Sequence, residues 1–178
     1  MVKPIVTAFF AKERVLTESS DAAKELYNQS RFGVIVEDKV ELSLIEAYYL
    51  MQKGRLKLTN LRNQPMDETA FLKKALRKEH NFWTRFCVFK DLRNRGYIVK
   101  TALKFGADFR VYDRGVKPGE DHAKWLVYPV KESSSFSWYE FSAKNRVANF
   151  SQLGDWNLLV IFRPRARRIC NTTIHPLL

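Results

Sequence analysis

Lys104-Phe-Gly-Ala-Asp-Phe-Arg-Val-Tyr112, continued through Asp113-Arg-Gly-Val-Lys-Pro-Gly-Glu-Asp-His122 into Ala123-Lys-Trp-Leu-Val-Tyr-Pro-Val130, sets two β-rich runs around a Gly/Pro turn. Phe105, Ala107, Phe109 and Val111 alternate with Gly106, Asp108, Arg110 and Tyr112. Period-two alternation marks a half-buried strand, so it predicts that Tyr112 points away from the apolar face. Gly115, Pro118 and Gly119 make the middle a loop rather than a helix, because Gly accepts turn conformations and Pro pre-sets one. The loop returns the chain so that Tyr112 and His122 can sit near the same open end of a sheet. A phenol and an imidazole beside a basic loop suit general acid/base work on a phosphodiester. The competing reading is a surface Tyr and a surface His on a long hairpin.

Outward from this stretch, Tyr97 to Thr101 reads as the strand before it. Ser137 to about Phe150 fits a helix with Trp138, Phe141, Val147 and Ala148 inward, followed by an apolar strand over Trp156 to Phe162 and a neighbour over Arg167 to Ile174. Upstream, Asp67 to Lys78 and Asn81 to Arg95 read as helices. The first carries Phe71, Leu72, Ala75 and Leu76 on one side and the second Phe82, Phe86, Val88, Phe89 and Leu92, stripes that belong to a core rather than to a nucleobase platform.

Asn60-Leu-Arg-Asn-Gln-Pro65 reads as a linker. Before it, Ile5 to Phe10 and Arg14 to Leu16 make short strands around Lys12-Glu13, and Asp21 to Asn28 makes a helix with a cap in Glu18-Ser-Ser-Asp21. A strand over Val34 to Val36, a helix over Leu42 to Lys53 and a strand over Leu56 to Leu58 follow. The sum is a small amino-terminal α/β domain over 1–62 and an α+β, catalytic-type domain over 66–178 with a mixed, or else antiparallel, sheet.

The 178 residues carry a formal charge of +12 and a pI near 9.8, which favours a polyanionic partner, nucleic acid before anionic membrane. No stretch approaches the roughly 20 apolar residues needed to cross a bilayer, and Met1-Val-Lys-Pro-Ile-Val lacks the apolar core of a signal peptide. A cytoplasmic protein with no membrane association is expected. Cys87 and Cys170 form no metal-ligand spacing and read as buried thiols. No metal site and no cofactor is expected.

Lys-Phe-Gly-Ala-Asp-Phe-Arg-Val-Tyr112 and Pro118-Gly-Glu-Asp-His-Ala-Lys-Trp-Leu-Val127 resemble the catalytic domain of the archaeal tRNA-splicing endonucleases. Val40-Glu-Leu-Ser-Leu-Ile-Glu-Ala-Tyr-Tyr-Leu-Met-Gln-Lys-Gly-Arg-Leu56 is similar to the helix of that family's amino-terminal domain. The resemblance implies metal-independent cleavage of precursor tRNA at intron-exon junctions presented as a bulge-helix-bulge. There the ribose 2′-hydroxyl attacks the adjacent phosphorus and leaves 2′,3′-cyclic phosphate and 5′-hydroxyl ends. It implies catalytic roles for Tyr112 and His122, without saying which is base and which acid. A phenol is a poor base near neutral pH unless cations such as Arg110, Arg114 or Lys117 stand close, and an imidazole a good acid only where an anion such as Glu120 or Asp121 keeps it charged. The resemblance also implies that Arg146 stacks on a bulged base, for which a planar cation is suited. A helix-surface salt bridge is its alternative role.

The chain departs from the family pattern twice. Members carry a catalytic lysine about seven residues after the arginine of Arg146-Val-Ala148, but Asn149-Phe-Ser-Gln-Leu-Gly-Asp-Trp-Asn157 holds none. The counted position falls on Leu153, or on Trp156 from the other side, and Lys144 lies before the arginine. Symmetric members also insert an acidic loop into a neighbouring subunit, whereas Phe162-Arg-Pro-Arg-Ala-Arg-Arg168 is strongly basic. A hetero-oligomer, two of this chain with two of another subunit, is therefore expected. Arg114, Lys117 and Arg168 are candidate RNA contacts beside Arg146. Two readings follow: an endonuclease subunit using Tyr112 and His122, or an RNA-positioning subunit of the same assembly that is itself inactive.

Overall fold

In the computed structural model the described residues are 4–102, 107–116, 122–131, 135, 137–149 and 157–163, with backbone alone for 147–149 and 157–163. They form two compact units, 1–83 and 84–178. The division lies well beyond the linker expected at 60–65, and the reason is local pairing. Pro65–Met66 forms a short strand against Leu56–Thr59, and the helix after it packs by Phe71 onto Phe10 and Tyr48 of the first unit.

The first unit holds a mixed six-stranded sheet in the order β3-β4-β2-β1-β5-β6. Its strands are β1 (Val6–Ala11), β2 (Arg14–Thr17), β3 (Val34–Val36), β4 (Lys39–Leu42), β5 (Leu56–Thr59) and β6 (Pro65–Met66). β1 runs antiparallel to β2 and parallel to β5, so a crossover must carry the chain from β4 to β5. That crossover is α2 (Leu44–Gln52), buried along Leu44 to Met51. The expected helix start at Leu42 is corrected: Leu42 ends β4, and Ser43 caps α2 by accepting from the Glu46 backbone N–H. The other helices are α1 (Asp21–Asn28), capped by Ser20, and α3 (Glu68–Lys78), capped by Asp67. Leu76 of α3 is nearly half exposed, not inward as expected.

Glu46 is a buried carboxylate, and its cost is offset by donors. Gly33 N–H reaches Oε1 at 2.9 Å, while the Ser43 N–H and hydroxyl reach Oε2 at 3.0 and 2.9 Å. Gly33 has φ +62°, and a Cβ there would lie 2.7 Å from Val40 Cγ1 and closer still to the Glu41 carbonyl. Gly33→Ala is therefore expected to lower stability by about 3 kcal/mol, read from chemical denaturation of the full chain; a loss under about 1 kcal/mol would mean the turn relaxes freely.

The second unit holds a four-stranded sheet in the order β10-β9-β8-β7, made of β7 (Ile98–Thr101), β8 (Phe109–Tyr112), β9 (Trp125–Lys131) and β10 (Asn157–Arg163). β7, β8 and β9 are successively antiparallel, but β10 runs parallel to β9. The sheet is thus mixed. A parallel neighbour requires a crossover, supplied by α5 (Trp138–Asn149). α4 (Phe82–Asn94) precedes the sheet and packs Phe89 on Phe109 at 6.0 Å. Cys87 is buried, as expected; Cys170 and the strand expected over 167–174 lie outside the described residues. Among the described residues no helix is long and apolar enough to cross a membrane.

Candidate active site

β8 and β9 position the two residues that the sequence singles out. Val111 pairs with Trp125, and the Lys124 N–H donates to the Val111 carbonyl at 2.9 Å, so the ladder runs to the last residues before the loop. Lys124 Nζ then meets Asp113 Oδ2 at 3.1 Å across the loop stem. Tyr112 follows Val111 directly and His122 lies two residues before Lys124, so both leave the same end of the β8–β9 pair.

Their environments differ. His122 is exposed. Tyr112 lies on the face of β8 opposite Phe109 and Val111, yet it is only 4% exposed, because that second face is covered as well. It shares a cluster with Ile98, Ala102, Ala107, Ala123, Leu126 and Tyr128, with Val116 packed on it. Alternation along β8 reports one covered face, lined by Phe109 and Val111. The segments linking the strands bring Ala102, Ala107, Val116 and Ala123 over the other. Ala123, the residue after His122, packs in the Tyr112 cluster, which ties the imidazole-bearing backbone to the phenol.

The electrostatics of this face come from groups the sequence reading left aside. Arg85 Nε pairs with Asp108 Oδ1 at 2.7 Å, and the Arg85 guanidinium lies 5.5 Å from the Phe109 ring. Burial pushes the Asp108 carboxyl above the ordinary carboxylate range, against the opposing pull of Arg85 and Lys144. Burial, and then the Asp108 charge, push the Tyr128 phenol above its ordinary value, so it stays protonated. Lys144 Nζ sits 4.4 Å from the Tyr128 ring centroid. Lys144 thus contacts the Tyr112 cluster through Tyr128, although it precedes Arg146 in the chain. A lysine three helix positions after an inward aromatic such as Phe141 was the available signal for this.

The candidate RNA contacts are only partly described. Arg114 is exposed and stands over the Tyr97 ring at 5.6 Å. Arg146 is exposed near the end of α5, and among the described residues it has no ion-pair partner. Lys117, Glu120, Asp121, Leu153, Trp156 and Arg168 lie outside the described residues.

Residues 6–72 match the family described as tRNA intron endonuclease, N-terminal domain, and residues 82–156 match tRNA intron endonuclease, catalytic C-terminal domain. Tyr112, His122 and Arg146 fall within the second match. The chain is 48% identical over 122 residues to the tRNA-splicing endonuclease of Nanoarchaeum equitans, covering 65% of this chain and 78% of that one. It is 40% identical over 137 residues to the tRNA-splicing endonuclease of Methanothermobacter thermautotrophicus, covering 77% and 79%. The same length is 42% identical to the tRNA-splicing endonuclease of Thermococcus onnurineus, covering 77% and 78%.

Proposed function

The chain belongs to the tRNA intron endonuclease family, and we propose that it cuts precursor tRNA at intron-exon junctions through Tyr112 and His122. What carries this reading is that both residues lie within the catalytic-domain match, at the two ends of one loop whose stem is closed by the Lys124 to Val111 hydrogen bond.

The reaction is a transesterification. The 2′-hydroxyl loses its proton and attacks phosphorus, the bond to the 5′-oxygen breaks, and that oxygen takes up a proton. Tyr112 and His122 form the proton-transfer pair, and a nearby cation stabilises the charge gathering on the non-bridging oxygens. The need for a 2′-hydroxyl makes RNA the substrate. The working form is a hetero-oligomer, two plus two, in the cytoplasm. The strongly basic segment after Phe162 favours an acidic partner over a second copy.

A second reading, an RNA-positioning subunit whose partner cuts, has one observation in its favour: no lysine follows Arg146 before β10. Incubation with an intron-containing tRNA transcript in EDTA tests both. Cutting by the purified chain or its hetero-oligomer at the undiminished rate, with cyclic phosphate ends, is the expected result. Loss of cutting in EDTA that added magnesium restores would overturn the metal-independent mechanism. Partner-dependent cutting that survives His122→Ala would establish the second reading.

A further inference from the structure

We infer that the outward stripe of α5 headed by Tyr139, together with Trp138 beside it in the same first turn, is a stacking surface for unpaired bases of the RNA substrate; this rests on the reading of the chain as a tRNA endonuclease subunit. The sequence pattern expects Trp138 inward, yet Trp138 is 83% exposed and Tyr139 84% exposed. The inner side of α5 is supplied by Phe141 and Lys144 instead, both partly covered.

These rings ride on a fixed helix start. Ser137 Oγ accepts from the Glu140 N–H at 3.2 Å, and Glu140 Oε2 accepts from the Ser137 N–H at 3.0 Å, a reciprocal cap around the turn that bears both aromatics. The Trp138 ring meets Phe141 at 5.9 Å and 89°, which braces it. Two large aromatics held open to solvent on an ordered helix cost burial that a folded monomer gains elsewhere, so they await an occupant.

Its chemistry follows from the rest of the stripe. Tyr139, Ser142, Ala143 and Arg146 stand at positions i, i+3, i+4 and i+7, on one face of the helix, and all four are exposed. The ring and the guanidinium are separated by about 10 Å along the axis, about three nucleotide steps, with only two small side chains between them. A flat π surface at one end and a planar cation at the other suit bases on a polyanionic strand. The only acid in the described part of this helix is Glu140, which is engaged in the cap, and the chain carries +12 overall. This charge balance favours RNA over a protein partner.

Fluorescence anisotropy of the full chain, assembled with whatever second subunit cleavage requires, tests the inference with a bulge-helix-bulge RNA and a fully paired duplex of equal length. Trp138→Ala and Tyr139→Ala are each expected to weaken the bulged RNA about ten-fold and the duplex by no more than about two-fold. Tyr139→Phe keeps the ring and is expected to bind as the unaltered chain does. Equal loss on both RNAs, no loss on either, or a changed sedimentation mass with RNA affinity retained would overturn the inference, the last by making the stripe a protein interface. If the unaltered chain cuts the transcript while the alanine variants bind normally, the stacking surface alone fails. If the unaltered chain neither prefers the bulged RNA nor cuts it, the functional reading fails with it.

Discussion

Replacing His122 by alanine is expected to slow single-turnover intron cleavage by about 10²- to 10⁴-fold, the range a positioned acid or base contributes. His122 is exposed, so its loss should move stability by no more than about 0.5 kcal/mol. That separation matters, because a variant that unfolds reports nothing about chemistry. Tyr112→Phe is the companion: it deletes one oxygen from a ring that packs among Ile98, Leu126 and Tyr128, so the cluster keeps its volume while the proton-transferring hydroxyl is gone. A loss of the same order, seen in the cleavage step rather than in RNA affinity, is the expected result. If both variants cut at the unaltered rate, neither group touches the reacting atoms, and chemistry belongs to another subunit.

Truncating Phe71 to alanine is expected to cost about 3–5 kcal/mol, the largest stability effect of a single side chain in the amino-terminal unit. Phe71 is fully buried and joins three elements. Its ring meets Phe10 of β1 edge-on at 5.7 Å and stacks on Tyr48 of α2 at 6.2 Å. The void left by its removal would border a strand and two helices that cannot close it together without breaking β1 pairing. Leu76→Ala on the same helix is the control, with an expected change within about 0.5 kcal/mol because Leu76 is nearly half exposed. Chemical denaturation of both variants decides the matter: a Phe71→Ala loss no larger than that of Leu76→Ala would show that α3 is not anchored in this core.

Local elements were legible where the signal was local. α1 runs over Asp21–Asn28 as its cap and spacing predict, and α3 starts within one residue of the expected Asp67, which is its cap. The helix after Leu42 began late because the Ser43–Glu46 capping box, not the apolar run, decides where α2 starts. The segment read as a linker ends in the first residue of β6, since two residues suffice to pair with β5 but not to show a period.

Composition and order along the chain by themselves determined that this is a basic, two-part α and β protein with Tyr112 and His122 at opposite ends of one loop. Only the tertiary structure decided that the phenol is covered while the imidazole is open, that Trp138 faces solvent, and that Lys144 reaches the Tyr128 ring. Alternation and helical spacing say which residues share a face. What covers that face comes from the segments linking the strands, here Ala102, Ala107, Val116 and Ala123, and no strand or helix period encodes how those links fold back.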